Sequence, residues 1–143
     1  MRVCVHLIVF PREVEIVGEK AGLYVGVCRP DADPRAKHWH REHTTAWLMG
    51  AYTGCLYGNG KNHDDLAGEF EQGDRMGVLL DLDDGSLLFF RNGAKHGPGH
   101  PAGSVAGPVA PAAQMFYTDK GHGGVHAVRL LPGAAWPEGH SPS

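Results

Sequence analysis

Short hydrophobic runs alternate with glycine, proline and polar residues along the whole chain. Residues 13–17 (EVEIV) alternate polar and apolar side chains, and residues 23–28 (LYVGVC) place Leu23, Val25 and Val27 on one face of an extended segment. No stretch sustains the 3.6-residue period of an amphipathic helix. The pattern therefore predicts an all-β chain of short strands.

The clearest hairpin signal lies at residues 76–91, where MGVLLDL and SLLFFR flank Asp83, Asp84 and Gly85. Glycine supplies the positive φ that such a turn requires. Both faces of the two strands are largely apolar, which indicates either a hairpin covered on both sides or one with a core face and a partly buried concave face. Two antiparallel sheets packed face to face meet this requirement, so we predict a two-sheet antiparallel β-sandwich.

Size and charge exclude several classes of protein. The 143 residues suit one domain, and 21 glycines fit a chain with many turns. The net charge is −3, and lysine and arginine are scattered singly, so we predict no nucleic-acid partner. No run reaches the about 18 apolar residues of a membrane helix, so we also predict no membrane insertion.

The N-terminus and the cysteines bear on the cellular compartment. Residues 3–10 (VCVHLIVF) form a short apolar run that contains His6 and is followed by no small-residue cleavage site, unlike a secretory signal. The three cysteines, Cys4, Cys28 and Cys55, are odd in number and do not cluster, as expected of reduced, buried thiols. We therefore predict an intracellular, cytoplasmic protein.

The segment YGNGKN (residues 57–62) is either a phosphate-binding loop or a turn between strands. A P-loop needs a glycine five positions before Gly60, where Cys55 stands, and a serine or threonine after the lysine, where Asn62 stands. No helical pattern follows to offer its N-terminus to a phosphate. We therefore interpret the segment as a turn after a strand.

The order of these segments resembles the SPRY domain family. The two segments that carry the resemblance most clearly are TAWLMGAYTGCLYGNGKN and GDRMGVLLDLDDGSLLFFRNGAKHG, and EVEIV, LYVGVCRP, PVAPAAQMF and HAVRLL match flanking strands of the family. The resemblance runs from about residue 12 to 131. Arg12 and His100 depart from the family pattern, and residues 1–10 match nothing clearly. We predict one domain over residues 1–131 and a tail over 132–143.

The resemblance implies a concanavalin-like jelly roll that acts as an adaptor, binding a protein or short peptide through loops at one end of the sandwich. It implies neither catalysis nor a cofactor, and we expect a monomer. The closest similarity is to SPRY domains of the SOCS-box type, whose shallow pocket takes a short Asn-rich peptide. The positions that match this pocket are Arg29, Pro30, Asp31, Thr45, Tyr57 and Tyr117, the last standing where that group has tryptophan.

Other interpretations of the site residues stay open. Tyr57 and Trp47 can be core aromatics, and Arg29 can be a solvated loop charge. Trp39 lies between two histidines in a polar loop and is a better candidate for an exposed anchor of a partner.

Ten histidines are the one compositional anomaly. His38, His40 and His43 lie within six positions, and the first two would share a face in a strand, as in some zinc sites. The alternative function is therefore a zinc-binding protein or metal-dependent enzyme, although no HExxH motif is present. A lectin-like carbohydrate binder is a further alternative, because nothing in the sequence selects peptide over sugar.

Overall fold

The computed structural model describes residues 12–18, 22–33, 46–58, 61–63, 67–81, 83–115 and 128–131. The predicted tail and the first residues of the chain lie outside these ranges. Within them the backbone forms ten strands and no helix. The strands are β1 (Arg12–Ile16), β2 (Leu23–Cys28), β3 (Ala46–Gly50), β4 (Leu56–Gly58), β5 (Lys61–His63), β6 (Arg75–Asp81), β7 (Ser86–Arg91), β8 (Ala94–Lys95), β9 (Ala110–Met115) and β10 (Val128–Leu131).

The strands form two five-stranded sheets in which all neighbours run antiparallel. The first sheet has the order β10-β1-β6-β7-β8, and the second has the order β5-β4-β3-β2-β9. This arrangement confirms the predicted all-β fold of two antiparallel sheets. β4 and β5 pair with Gly58 opposite Lys61. The Gly-Asn-Gly segment therefore follows a strand, as predicted, and leads into a second strand that the sequence analysis did not predict.

The predicted hairpin is formed by β6 and β7, with Asp81 opposite Ser86. The Gly85 N–H donates a 2.8 Å hydrogen bond to the Asp81 carbonyl, and Gly85 has a φ of 78°. The prediction of a positive-φ glycine in this turn is therefore confirmed. Val78 on one face of the hairpin and Phe90 on the other are both buried, so the hairpin is covered on both sides.

The main core lies between the sheets and is filled by alternate residues of facing strands. Its large side chains include Ile16, Trp47, Leu56, Met76 and Phe89, each at most 2% exposed. Burying a side chain of this kind stabilises the fold by about 1.5–3 kcal/mol. Trp47 is thus a core residue, in line with the core interpretation of this aromatic in the sequence.

The second sheet is also packed on its outer face. Cys28, Ala46, Leu48 and Ala112 form a small cluster there, joined by Ala32 from the loop after β2. The small residues keep this layer thin. The loop therefore lies against the outer face of the sheet instead of projecting from its end.

The loops gather at two ends of the sandwich. The Arg29 end consists of residues 29–33, 83–85 and 100–109, and the Asp74 end consists of residues 51–55, 67–75 and 91–97. The Gly103 N–H donates to the Asp84 carbonyl at 2.7 Å, which joins two loops of the Arg29 end.

Candidate functional site

Tyr57 lies on the outer face of the second sheet, because it follows the inward-facing Leu56 on β4. It stands opposite Leu48 of β3 and Asn62 of β5 in the strand register. Its half-buried ring meets the ring of Tyr24 edge to face, with 5.3 Å between the centroids and 84° between the planes. Tyr24 on β2 is also half-buried, so both rings contribute to the surface of the sheet.

Gly50 brings the two tyrosines together. A methyl group on Gly50 would lie 3.3 Å from Cε1 of Tyr24 and 3.4 Å from Cε2 of Tyr57. Both separations are at or below the usual van der Waals contact of about 3.5 Å. The absence of a side chain on β3 thus lets the rings from β2 and β4 meet over the middle strand.

The loop after β2 borders this tyrosine pair. Ala32 is 2% exposed and packs in the same cluster against which Tyr24 and Tyr57 rest. A turn sets its position, since the Ala32 N–H donates to the Arg29 carbonyl at 3.1 Å. Pro30, Asp31 and Asp33 of this loop are exposed. We call Tyr24, Gly50, Tyr57 and residues 30–33 together the Tyr57 surface.

Arg29 does not join the Tyr57 surface. It continues the alternation of Val25 and Val27, which face the main core, and its guanidinium carbon lies 5.4 Å from the ring centroid of Trp47. A methyl group on Gly107 would lie 3.7 Å from the same guanidinium. Arg29 therefore connects the loop after β2 to the core and to the 100–109 segment, on the opposite face of the sheet from Tyr57.

Backbone hydrogen bonds fix the other loops of the Arg29 end. Leu87 and His100 exchange two bonds of 3.0 and 2.8 Å, and the Val105 N–H donates to the Gly85 carbonyl at 2.9 Å. In the hairpin turn, bonds from the Ser86 hydroxyl and the Ser86 N–H lower the pKa of Asp84. The loops beside the Tyr57 surface are thus held in place without a bound partner.

The structure describes four of the seven residues that the sequence analysis assigned to a partner site. Pro30 and Asp31 are exposed in the loop whose Ala32 packs on the outer face of the second sheet, Tyr57 is half-buried on that face, and the Arg29 side chain turns away from it. The remaining three, Trp39, Thr45 and Tyr117, lie outside the described residues. Tyr24 was missed, although its position out of phase with Leu23 and Val25 marks an aromatic on the outer face.

The zinc alternative finds no support in the described part of the chain. There, no group of three or more His, Cys, Asp or Glu side chains could hold a metal ion. The predicted histidine cluster of His38, His40 and His43 lies outside that part. Among the residues described, no helix is long and apolar enough to cross a membrane.

Comparisons with known proteins agree on the class of fold. The chain is similar to the crystal structure of the SPRY domain of human HERC1, with a TM-score of 0.69 and 25% identity over 85% of this chain and 72% of that one. It also resembles the crystal structure of a human SPRY domain, with a TM-score of 0.62 and 22% identity over 87% of this chain and 77% of the other. No curated protein matches the chain.

The sequence also matches the SPRY domain family over residues 10–123. This match covers well over half of the chain, and the sandwich described above has the fold of the family. The protein belongs to the SPRY domain family. SPRY domains are generally protein-interaction modules and typically carry no catalytic activity.

Proposed function

We propose that this SPRY domain binds a short peptide, or an exposed segment of a partner protein, on the Tyr57 surface. The main support for this proposal is the half-buried pair of Tyr24 and Tyr57 on the outer face of the sheet. The loop that packs on the same face exposes Pro30 and Asp31. Binding sites favour such aromatic anchors, because tyrosine contributes a large apolar area and a hydroxyl at a low cost in side-chain entropy.

The residues of the surface have different expected roles. Tyr57 is the anchor and contacts the ligand through its ring and its hydroxyl. Pro30 and Asp31 form a rim, where contacts contribute less to affinity than at the centre. The resemblance to SPRY domains of the SOCS-box type supports assigning Thr45 and Tyr117 to the same site, and the polar sequence around Trp39 supports adding Trp39 as an exposed anchor.

Arg29 takes a supporting role in this proposal. The stacking of its guanidinium on Trp47 is a structural contact, and its half-buried position leaves little of it for a ligand. An arginine that fixes a loop can still affect affinity, because a preformed loop loses less entropy on binding. We therefore expect Arg29 to act on affinity through the position of Pro30 and Asp31.

The test begins with a peptide selected from a displayed random library against the 143-residue chain. The peptide is then titrated against wild type, Tyr57→Phe and Tyr57→Ala. Tyr57→Phe should weaken binding by about 1 kcal/mol, the worth of one hydrogen bond, and Tyr57→Ala by about 2 kcal/mol or more. The stoichiometry of the same titration should be one peptide per chain.

Lys95→Ala is the control. Lys95 is exposed on β8, an edge strand of the other sheet, so its removal should leave affinity unchanged. Thermal melting of every variant shows whether a loss of binding reflects a loss of fold. Normal binding by folded Tyr57→Ala, or an equal loss in Lys95→Ala, would place the binding surface elsewhere and contradict the proposal.

A further inference from the structure

Three apolar side chains lie on the outer face of the first sheet, namely Leu79 of β6 and Leu88 and Phe90 of β7. They alternate along the strands with Val78 and Phe89, which face the main core, so they point away from it. Leu79 is 9% exposed, Phe90 is 1% exposed and Leu88 is half-buried. This group, the Phe90 face, is therefore shielded from water although it lies outside the space between the sheets.

The neighbours of Phe90 in the sheet do not account for its burial. Gly77 stands opposite it on β6 and has no side chain, and Lys95 stands opposite it on β8 and is exposed. Side chains stand roughly perpendicular to a sheet, so neighbours in the same sheet cover the flanks of a ring and leave its outer end open. A ring that is 1% exposed in a single chain therefore needs another segment of that chain lying over the sheet.

The chain that precedes β1 is well placed to supply this segment. Arg12, the first residue of β1, stands opposite Val78, so the preceding chain starts beside Leu79. β7 lies two strand spacings of about 4.8 Å from β1. Eight extended residues span about 26 Å, enough to cross both strands. Residues 3–10 (VCVHLIVF) carry seven apolar side chains and one histidine, a composition that matches an apolar face.

The chain that follows β10 starts from the same edge of the sheet, since Leu131 stands opposite Glu13. Residues 132–143 (PGAAWPEGHSPS) contain three prolines, and their apolar side chains other than proline are two alanines and one tryptophan. They offer less apolar surface than residues 3–10. We propose that residues 3–10 dock on the Phe90 face of the same chain and close the outer side of the first sheet, because this removes apolar surface of both from water.

Photocrosslinking in the full 143-residue chain tests this contact directly. The photoreactive residue p-benzoylphenylalanine takes the place of half-buried Leu88 in one protein and of Arg129, 65% exposed on the same side of the sheet, in a control. After irradiation, proteolysis and mass spectrometry should join position 88, but not position 129, to residues 3–10. A link from position 88 to residues 132–143 or to a second chain, or no link to residues 3–10, would overturn the proposal. If the change at Leu88 disturbs folding, exposed Lys95 beside Phe90 takes its place.

Changes in the segment itself measure what docking contributes. Serine at each of residues 7–10 (LIVF) should lower the midpoint of urea denaturation by about 1 M or more, because several apolar side chains lose their burial. The same variant should bind more anilinonaphthalene sulfonate, a dye that fluoresces on exposed apolar surface. Deletion of residues 133–143 is the control and should change neither quantity. An unchanged midpoint in the serine variant, or an equal fall in the control, would contradict the proposal. If the serine variant does not fold, Phe10→Ser alone decides.

Discussion

Side-chain hydrogen bonds add to the backbone bonds between loops at the Asp74 end of the sandwich, whereas backbone groups hold most of the loops at the Arg29 end. Asp74 accepts hydrogen bonds from the Glu71 N–H and Arg91 Nε, both at 2.8 Å, and from Asn92 Nδ2 at 3.0 Å. Asn92 Oδ1 in turn accepts a 2.9 Å hydrogen bond from the Arg75 N–H. One carboxylate thus joins the loop before β6 to the turn after β7.

Aromatic contacts complete the Asp74 end. Phe70 is fully buried, with the Arg91 guanidinium carbon 5.9 Å from its ring centroid and the His96 ring 4.6 Å away. His96 Nε2 also lies 2.9 Å from the Gly68 carbonyl oxygen. The charged and aromatic side chains of this end are therefore engaged with one another.

At the Arg29 end the loops are closed by the main chain, and several acidic and proline side chains point to solvent. Bonds from Gly103 to Asp84 and from Val105 to Gly85 involve only backbone atoms. Pro30, Asp31 and Asp33 are exposed at this end. The two ends of one fold thus differ in how far charged and aromatic side chains join their loops.

Gly85→Ala is expected to have the largest effect, because it breaks the backbone closure of the Arg29 end. A residue with a side chain is strained by about 1–2 kcal/mol at a φ of 78°, and the added methyl would lie 2.6 Å from the Val105 carbonyl oxygen. Together these should reduce the free energy of unfolding by about 3 kcal/mol or more. Urea denaturation followed by circular dichroism measures the loss.

Gly93→Ala is the control that separates the strain of a positive φ from the clash with the Val105 carbonyl oxygen. Gly93 has a φ of 87° at the Asp74 end, and a methyl there would meet nothing within 4 Å. Gly93→Ala should therefore lower the free energy of unfolding only by the backbone strain of a positive φ, about 1–2 kcal/mol. If the two variants lose equal stability, the contact of the hairpin turn with Val105 is not important for the Arg29 end.

Asp74→Ala should have the next largest effect, because it removes the acceptor of three hydrogen bonds at the other end. The Arg91 and Asn92 side chains and the Glu71 N–H would lose their partner. We expect a loss of about 2 kcal/mol in the free energy of unfolding. Binding on the Tyr57 surface should not change while the variant is folded, which a titration at low temperature checks.

The stability that Asp74 contributes should depend on pH. Burial tends to raise its pKa, but the bonds from Asn92 and Glu71 and the charge of Arg91 lower the pKa below the ordinary aspartate value of about 3.9. A lowered pKa in the folded state stabilises the protein above the unfolded value, and this gain is lost as the pH falls through the folded pKa. The difference in melting temperature between wild type and Asp74→Asn should therefore be full at pH 6 and shrink below pH 4. A constant difference would contradict this role.

Arg29→Ala tests a side chain that connects loops of the Arg29 end. Losing the stacking on Trp47 and the packing of its aliphatic stem should cost about 1 kcal/mol of stability. Arg129→Ala is the control, because that side chain is 65% exposed and should contribute little. Equal midpoints of denaturation for the two variants would show that Arg29 does not fix the loop.

The sequence predicted the strands whose apolar residues face the core. The hairpin expected at 76–91 is observed as Arg75–Asp81 and Ser86–Arg91, since alternating apolar residues and an Asp-Gly turn specify both strands and their register. β5 and β8 were missed. Residues 61–63 are polar and β8 has two residues, so these edge strands are defined by backbone pairing that leaves no hydrophobic pattern.

The site could be predicted only in part. Tyr57 was found through a family motif, but Tyr24 was not, because the contact depends on β2 and β4 both flanking β3. The order of strands in a sheet is a tertiary property, and the hydrophobic periodicity of the sequence does not determine it. The orientation of Arg29 could have been inferred, since it continues the inward phase of Val25 and Val27.

The smallest effect is expected for the exposed ion pair at the Asp74 end. Arg75 and Glu13 lie 3.3 Å apart, and the arginine side chain is 45% exposed, so water screens their attraction. A double-mutant cycle of Arg75→Met and Glu13→Gln should give a coupling of about 0.5 kcal/mol or less, decreasing further in 0.5 M salt. This ion pair joins β1 to β6 on the sheet. Asp74 instead joins two loops, and two of its hydrogen-bond donors are uncharged, the Glu71 N–H and the Asn92 side-chain amide. A coupling above about 1.5 kcal/mol would mean that surface charge, and not the Asp74 hydrogen bonds alone, stabilises that end.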